Sequence, residues 1–151
     1  MDKSKESFRL TLYIIGCIIV SLLIVKIIID ISNTKMLHCE SSVETEEGIT
    51  SEANINFKWS YDRLIKAQTR HVLNTTEKIT TELQDQFKQE IESNELYDSN
   101  TIEDYWSYKI VANSTYKIDK LGEFLGDSSF DTVKSYFENE LLMTCEEKNG
   151  V

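Results

Sequence analysis

Residues 49–61 read Ile-Thr-Ser-Glu-Ala-Asn-Ile-Asn-Phe-Lys-Trp-Ser-Tyr, an unbroken alternation. Ile49, Ser51, Ala53, Ile55, Phe57, Trp59 and Tyr61 fall on one side, and Thr50, Glu52, Asn54, Asn56, Lys58 and Ser60 on the other. A period of two is the mark of a long strand with one face buried and one face wet. Downstream, Ser60-Tyr61-Asp62-Arg63 predicts a turn, and residues 64–73 a second strand carrying Ile65, Ala67, Thr69, His71 and Leu73 on one face. Upstream, residues 36–43 form a shorter strand turned through Glu46-Glu47-Gly48. Together these three segments predict an antiparallel meander.

The helical signals lie beyond it. Asn74-Thr75-Thr76-Glu77 has the form of a capping box, with Asn74 accepting from backbone N–H groups and Glu77 reaching back. Ile79, Leu83, Phe87 and Ile91 follow at intervals of four, the stripe of an amphipathic helix laid on a sheet. A strand is expected over residues 105–112, with Trp106, Tyr108, Ile110 and Ala112 on one face, and a turn at Asn113-Ser114 leads into residues 115–118. Ser128-Ser129 caps a last helix through Val133, Tyr136 and Phe137, and residues 142–145 make a short return. The fold class is therefore α+β: an N-terminal transmembrane helix, then an antiparallel sheet with two main helices in the order βββ-α-ββ-α.

Residues 10–29 read LTLYIIGCIIVSLLIVKIII, with Lys26 as the single charge. At about 1.5 Å per residue such a helix spans about 30 Å, the hydrocarbon thickness of a bilayer. Lys26, near the far end, can carry its ammonium to the interface along its stem. Ile14-Ile15-Gly16-Cys17 has the outline of a lipobox, but the apolar run continues past Cys17 where a mature lipoprotein turns polar. We therefore expect a retained signal anchor. Lys3, Lys5 and Arg9 precede it, so the short arm is expected in the cytoplasm and the rest outside. The layout is an arm over 1–9, a transmembrane helix over 10–31, a linker over 32–35, an extracytoplasmic domain over 36–147 and a tail over 148–151.

The whole chain of 151 residues holds 16 Lys and Arg against 26 Asp and Glu, a net charge of −10. Residues 32–151 alone hold 12 of the bases and 23 of the acids, a balance of −11. Such a surface disfavours nucleic acid and is repelled by an anionic leaflet. The absence of proline excludes PxxP ligands, and three cysteines are too few for a disulfide-dense scaffold or a Cys-rich zinc module.

Leu37-His38-Cys39 opening a strand, the EEGIT turn over residues 46–50, DRLIKA over 62–67, SSFDTVKSYFE over 128–138 and Met143-Thr144-Cys145 form one pattern. Over roughly residues 36–146 it resembles the YehR-like family of small, largely uncharacterised bacterial envelope proteins, many of them lipoproteins. Here a spanning helix stands where those carry a lipobox cysteine. The resemblance implies an envelope location and an α+β fold, and transfers no catalytic residue.

Cys39 and Cys145 lie at the two ends of the domain. In an oxidising exterior they can close a loop of about 107 residues, worth up to about 4–5 kcal/mol in the chain-entropy view; two unpaired thiols are the alternative. His38, Cys39, His71 and Cys145 can be combined on paper into a zinc site or a Cys–His nucleophile pair, without the close pairings either needs. We expect no metal and no cofactor. Glu40, Glu44, Glu46 and Glu47 lack the spacing of a calcium loop. Asn74-Thr75-Thr76 and Asn113-Ser114-Thr115 match glycosylation acceptors, which matter only on a eukaryotic secretory route. Trp59, Tyr61, Tyr105 and Trp106 are the candidate binding residues: on an exposed sheet end they would stack on a sugar or anchor a peptide, and otherwise they pack the sheet.

No P-loop, GxGxxG, GxSxG or HExxH is present. The expectation is a non-catalytic extracytoplasmic domain binding an envelope protein or a small ligand. The alternatives are a structural subunit whose helix packs through Gly16, Cys17 and Ser21, or a thiol-active envelope enzyme using Cys39 or Cys145.

Overall fold

The computed structural model describes residues 3–45, 48–105 and 108–149. It is α+β, and its first element is a helix, α1 (Lys3–Ser32), long and apolar enough to cross a membrane over Lys5–Ser32. An N-terminal signal sequence can meet the same criteria of length and composition. From Phe8 to Ile31 its large apolar side chains are exposed, and no other described residue covers them. Helix leads to sheet through Asn33 alone, whose N–H and side-chain Nδ2 both donate to the Ile29 carbonyl.

Six strands follow in one antiparallel sheet: β1 (Thr34–Glu44), β2 (Ile49–Ser60), β3 (Arg63–Thr75), β4 (Tyr97–Tyr105), β5 (Lys109–Tyr116) and β6 (Thr144–Asn149), in the spatial order β4-β5-β3-β2-β1-β6. The meander is the expected one. At its first hairpin Gly48 is required twice over: its φ is +73°, and a Cβ there would lie 2.6 Å from Thr76 Oγ1. At its second, Tyr61 and Asp62 both take positive φ, the backbone of a two-residue hairpin turn.

Helices α2 (Thr81–Glu92), α3 (Ile118–Leu125) and α4 (Phe130–Asn139) cover one face of the sheet. The strand alternation places Leu37, Cys39, Ile55, Phe57, Trp59 and Ala67 on that face, beneath Leu121, Val133 and Phe137. Phe137 meets Phe57 edge-on at 4.9 Å, and Phe130 meets Trp59 at 5.0 Å. The other face carries His38, Glu40, Glu52, Asn56, Lys66 and Arg70, with Val72 and Val111 paired at its centre and buried.

Several expectations are corrected. Ile65 does not share a face with Ala67: the register shifts opposite Lys58 and Trp59, so Leu64 turns inward and Ile65 is left exposed as the extra residue of a bulge. Asn74 caps no helix, because β3 runs through Thr75 and Asn74 pairs with both Thr50 and Lys109. The cap of α2 is Thr80, whose Oγ1 accepts from Leu83 N–H at 3.2 Å. Asn113 and Ser114 lie inside β5, and the chain reverses between Tyr105 and Lys109, which pair in register. The strand β4 and the short helix α3 were not expected; β4 has Ile102 as its one aliphatic residue and so lacks an apolar period. The cap of α4 is as read: Ser129 Oγ accepts from Thr132 N–H, and the Asp127 carboxylate accepts from Ser129 N–H, Ser129 Oγ and Thr132 Oγ1. Those donors hold the Asp127 carboxyl below its ordinary range.

Candidate ligand-binding cleft

The core is divided. One part lies under α3 and α4, a second, of Leu73, Ile79 and Ile110 with Leu83 and Phe87, lies under α2, and a third joins Ile91, Tyr97 and Ala112. Between the first two runs a register row of Ser41, Ala53, His71 and Ala112 across β1, β2, β3 and β5. Ala112 is packed against Ile91 and Tyr97, whereas the small Ser41 and Ala53 leave space beneath α3 and α4 unfilled. The result is a cleft of about 390 Å³, walled by Ala53, His71, Tyr116, Tyr136 and Met143 and rimmed by Phe124 and Leu141, which are exposed. That volume lies in the range of small-molecule sites. A hollow of about 570 Å³ between the start of α2 and the first hairpin is lined by the exposed Glu77, Lys78, Thr80, Glu82 and Gln86. It has the character of a surface gap.

His71 is the polar centre of the cleft. Its Nε2 lies 3.1 Å from Tyr97 Oη and 3.3 Å from Thr69 Oγ1, and Tyr97 is hydrogen-bonded in turn to Tyr116, its ring neighbour at 4.9 Å. Burial lowers the His71 pKa, with Glu90 on α2 opposing it. Burial also raises Tyr97 and carries Tyr116 beyond the ordinary tyrosine range. All three groups are therefore uncharged at neutral pH. Beside Thr69 in register, the buried Ser114 hydroxyl has no partner among the described residues.

Of the four aromatic candidates, the described ones do not come together. Trp59 is fully buried and its Nε1–H donates to the Ser128 carbonyl at 2.9 Å, so it closes the core and offers no stacking surface. Tyr61 is exposed, and its hydroxyl donates to Asp30 Oδ1 at the end of α1, which raises its pKa. Tyr105 ends β4 at the opposite end of the sheet, where its partner Lys109 pairs with Asn74; its side chain lies outside the described residues, as does Trp106. Antiparallel register separates what closeness in composition suggested.

Cys39 and Cys145 face each other in the β1–β6 register and are bridged, with Cα atoms 4.0 Å apart. The bridge occupies both thiols that a nucleophile reading would need, and Cys17 on α1 is the free cysteine. His38 points to the open face, where Nδ1 contacts Asn56 Oδ1 at 2.7 Å and Nε2 lies 3.5 Å from Glu40, away from the bridge and from His71. No group of three or more His, Cys, Asp and Glu side chains converges among the described residues. Sequence reasoning saw His71 as a strand residue and missed the cleft, whose one local trace is the pair of small side chains facing it. No family model, curated protein or solved structure matches this chain.

Proposed function

We propose that this chain is a single-pass, membrane-tethered domain of the bacterial cell envelope, held outside the cytoplasm, that binds a ligand or partner without catalysis. The observation that carries it is the Cys39–Cys145 bridge in a domain joined directly to a spanning-length helix. Disulfides persist in oxidising compartments, which supports an external domain. Lys3, Lys5 and Arg9 ahead of the helix support a cytoplasmic N-terminus. The resemblance to the YehR-like envelope proteins agrees with this location, and α1 would replace their lipid anchor. The cleft supports binding: it offers uncharged hydrogen-bonding groups in an apolar wall and no activated nucleophile.

Labelling of intact cells with a membrane-impermeant maleimide tests the proposal, in a Cys17→Ser background with a lysed control. The expected result is modification of Cys39 and Cys145 only after mild reduction. Modification that requires lysis would overturn the orientation. Modification without reduction would refute the oxidised state on which the reading rests.

A further inference from the structure

We infer that the cleft between the α3–α4 pair and the sheet around His71 binds a small, uncharged, mainly apolar molecule bearing a hydroxyl group, a neutral alcohol or phenol. This rests on the reading of the domain as a binding module. The argument begins with size. A space of about 390 Å³ has the small Ser41 and Ala53 on its sheet side, and apolar walls of Leu121, Phe137 and Met143 select an apolar body.

The polar requirement comes from His71. Its Nε2 is engaged by Tyr97 and Thr69, while Nδ1 has no partner among the described residues and is not sealed from solvent. Whichever tautomer the network holds, Nδ1 is either a single donor or a single acceptor. A hydroxyl satisfies both cases, whereas an ammonium, which only donates, or a carbonyl, which only accepts, satisfies one. Charge is selected against. Among the described residues no Lys, Arg, Asp or Glu lines the cleft, so an ion of either sign would leave water without a counter-charge. An anion would also face the nearby Glu90 carboxylate and the −11 balance of residues 32–151. The exposed Phe124 and Leu141 extend the apolar surface outward from the opening.

The test uses the full chain in nanodiscs with ¹³C-methyl methionine, which reports at three positions, 1, 36 and 143. Met143 lines the cleft, and Met36 sits on the open face of the sheet. The probes are 2-naphthol and naphthalene-2-sulfonate, which share a ring system and differ in charge. Saturable movement of the Met143 methyl signal by 2-naphthol is expected, with Met36 unmoved and the sulfonate weaker by about tenfold or more. Ala53→Leu, which fills the cleft, should abolish the response. His71→Leu should weaken it by about tenfold through the lost hydrogen bond. Should Ala53→Leu fail to fold, Ser41→Leu fills the same row from β1. An unresponsive Met143, an equal response to the sulfonate, or a response that survives a folded cleft-filling variant would each overturn the inference. None of these results bears on topology. A cytoplasmic domain in the maleimide experiment would instead remove the envelope reading while leaving the naphthol response unchanged.

Discussion

His71 sits on a strand face where an alternating pattern alone assigns it to the sheet, yet its chemistry is set by residues far along the chain. Tyr97 and Glu90 reach it from β4 and α2, and Tyr116 on β5 holds Tyr97 in turn. Because burial lowers its pKa, the unfolded chain takes up a proton before the folded chain does. Stability from this group is complete above the unfolded value of about 6.5 and declines as pH falls through it, until the folded group also protonates. We therefore expect urea unfolding at pH 5.5 to show a larger loss relative to pH 7.5 in the native chain than in His71→Gln. An equal loss in both would mean that His71 does not carry the acid sensitivity. Trp59 illustrates the same dependence on distant residues: its place on an apolar face is legible locally, but whether it is a surface platform or a core plug depends on Phe130 and Ser128, some seventy positions away.

The ends of two helices differ in a way that can be measured. α3 stops at Gly126, which adopts φ +78°, a conformation that glycine takes without a Cβ clash. After α4 the left-handed position is taken by Leu142 at φ +53°, with its side chain 81% exposed. The neighbouring N–H groups of Leu141 and Met143 fix the turn by donating to the carbonyls of Tyr136 and Phe137. A left-handed leucine costs about 1–2 kcal/mol, and glycine gives back about 0.5–1 kcal/mol in unfolded-chain freedom. Leu142→Gly should thus stabilise the domain by about 0.5 kcal/mol, read as a higher urea midpoint at unchanged slope. A lower midpoint would indicate that Leu142 holds packing absent from the isolated chain. Elements with a strong period, such as β2 and the stripe of α2, were legible because the signal lies within one segment. β4 was not, since TIEDY has no alternation to read and becomes a strand only by pairing with β5.

At the scale of the whole molecule, the bridge joins the first strand of the domain to the last across a separation of 106 residues. β6 is an edge strand of six residues, with Glu146, Glu147 and Lys148 discouraging further pairing. Reduction, or a Cys39→Ala/Cys145→Ala double variant, should lower the unfolding free energy by up to about 4–5 kcal/mol in the chain-entropy view. A loss below about 1 kcal/mol in denaturant titrations would show that β6 is held by its ladder and that the bridge adds little. The apolar helix, the antiparallel meander, the α4 cap and the acidic character of the domain were determined by the sequence itself, because each is a property of neighbouring residues: hydropathy, a period of two or a capping side chain. The fate of Ile65, the reversal after Tyr105, the burial of Trp59, the register that joins Cys39 to Cys145 and the cleft around His71 were decided only by tertiary structure. Each depends on which segments meet, and the free energy of that meeting comes from pairing and burial between residues that no local pattern relates.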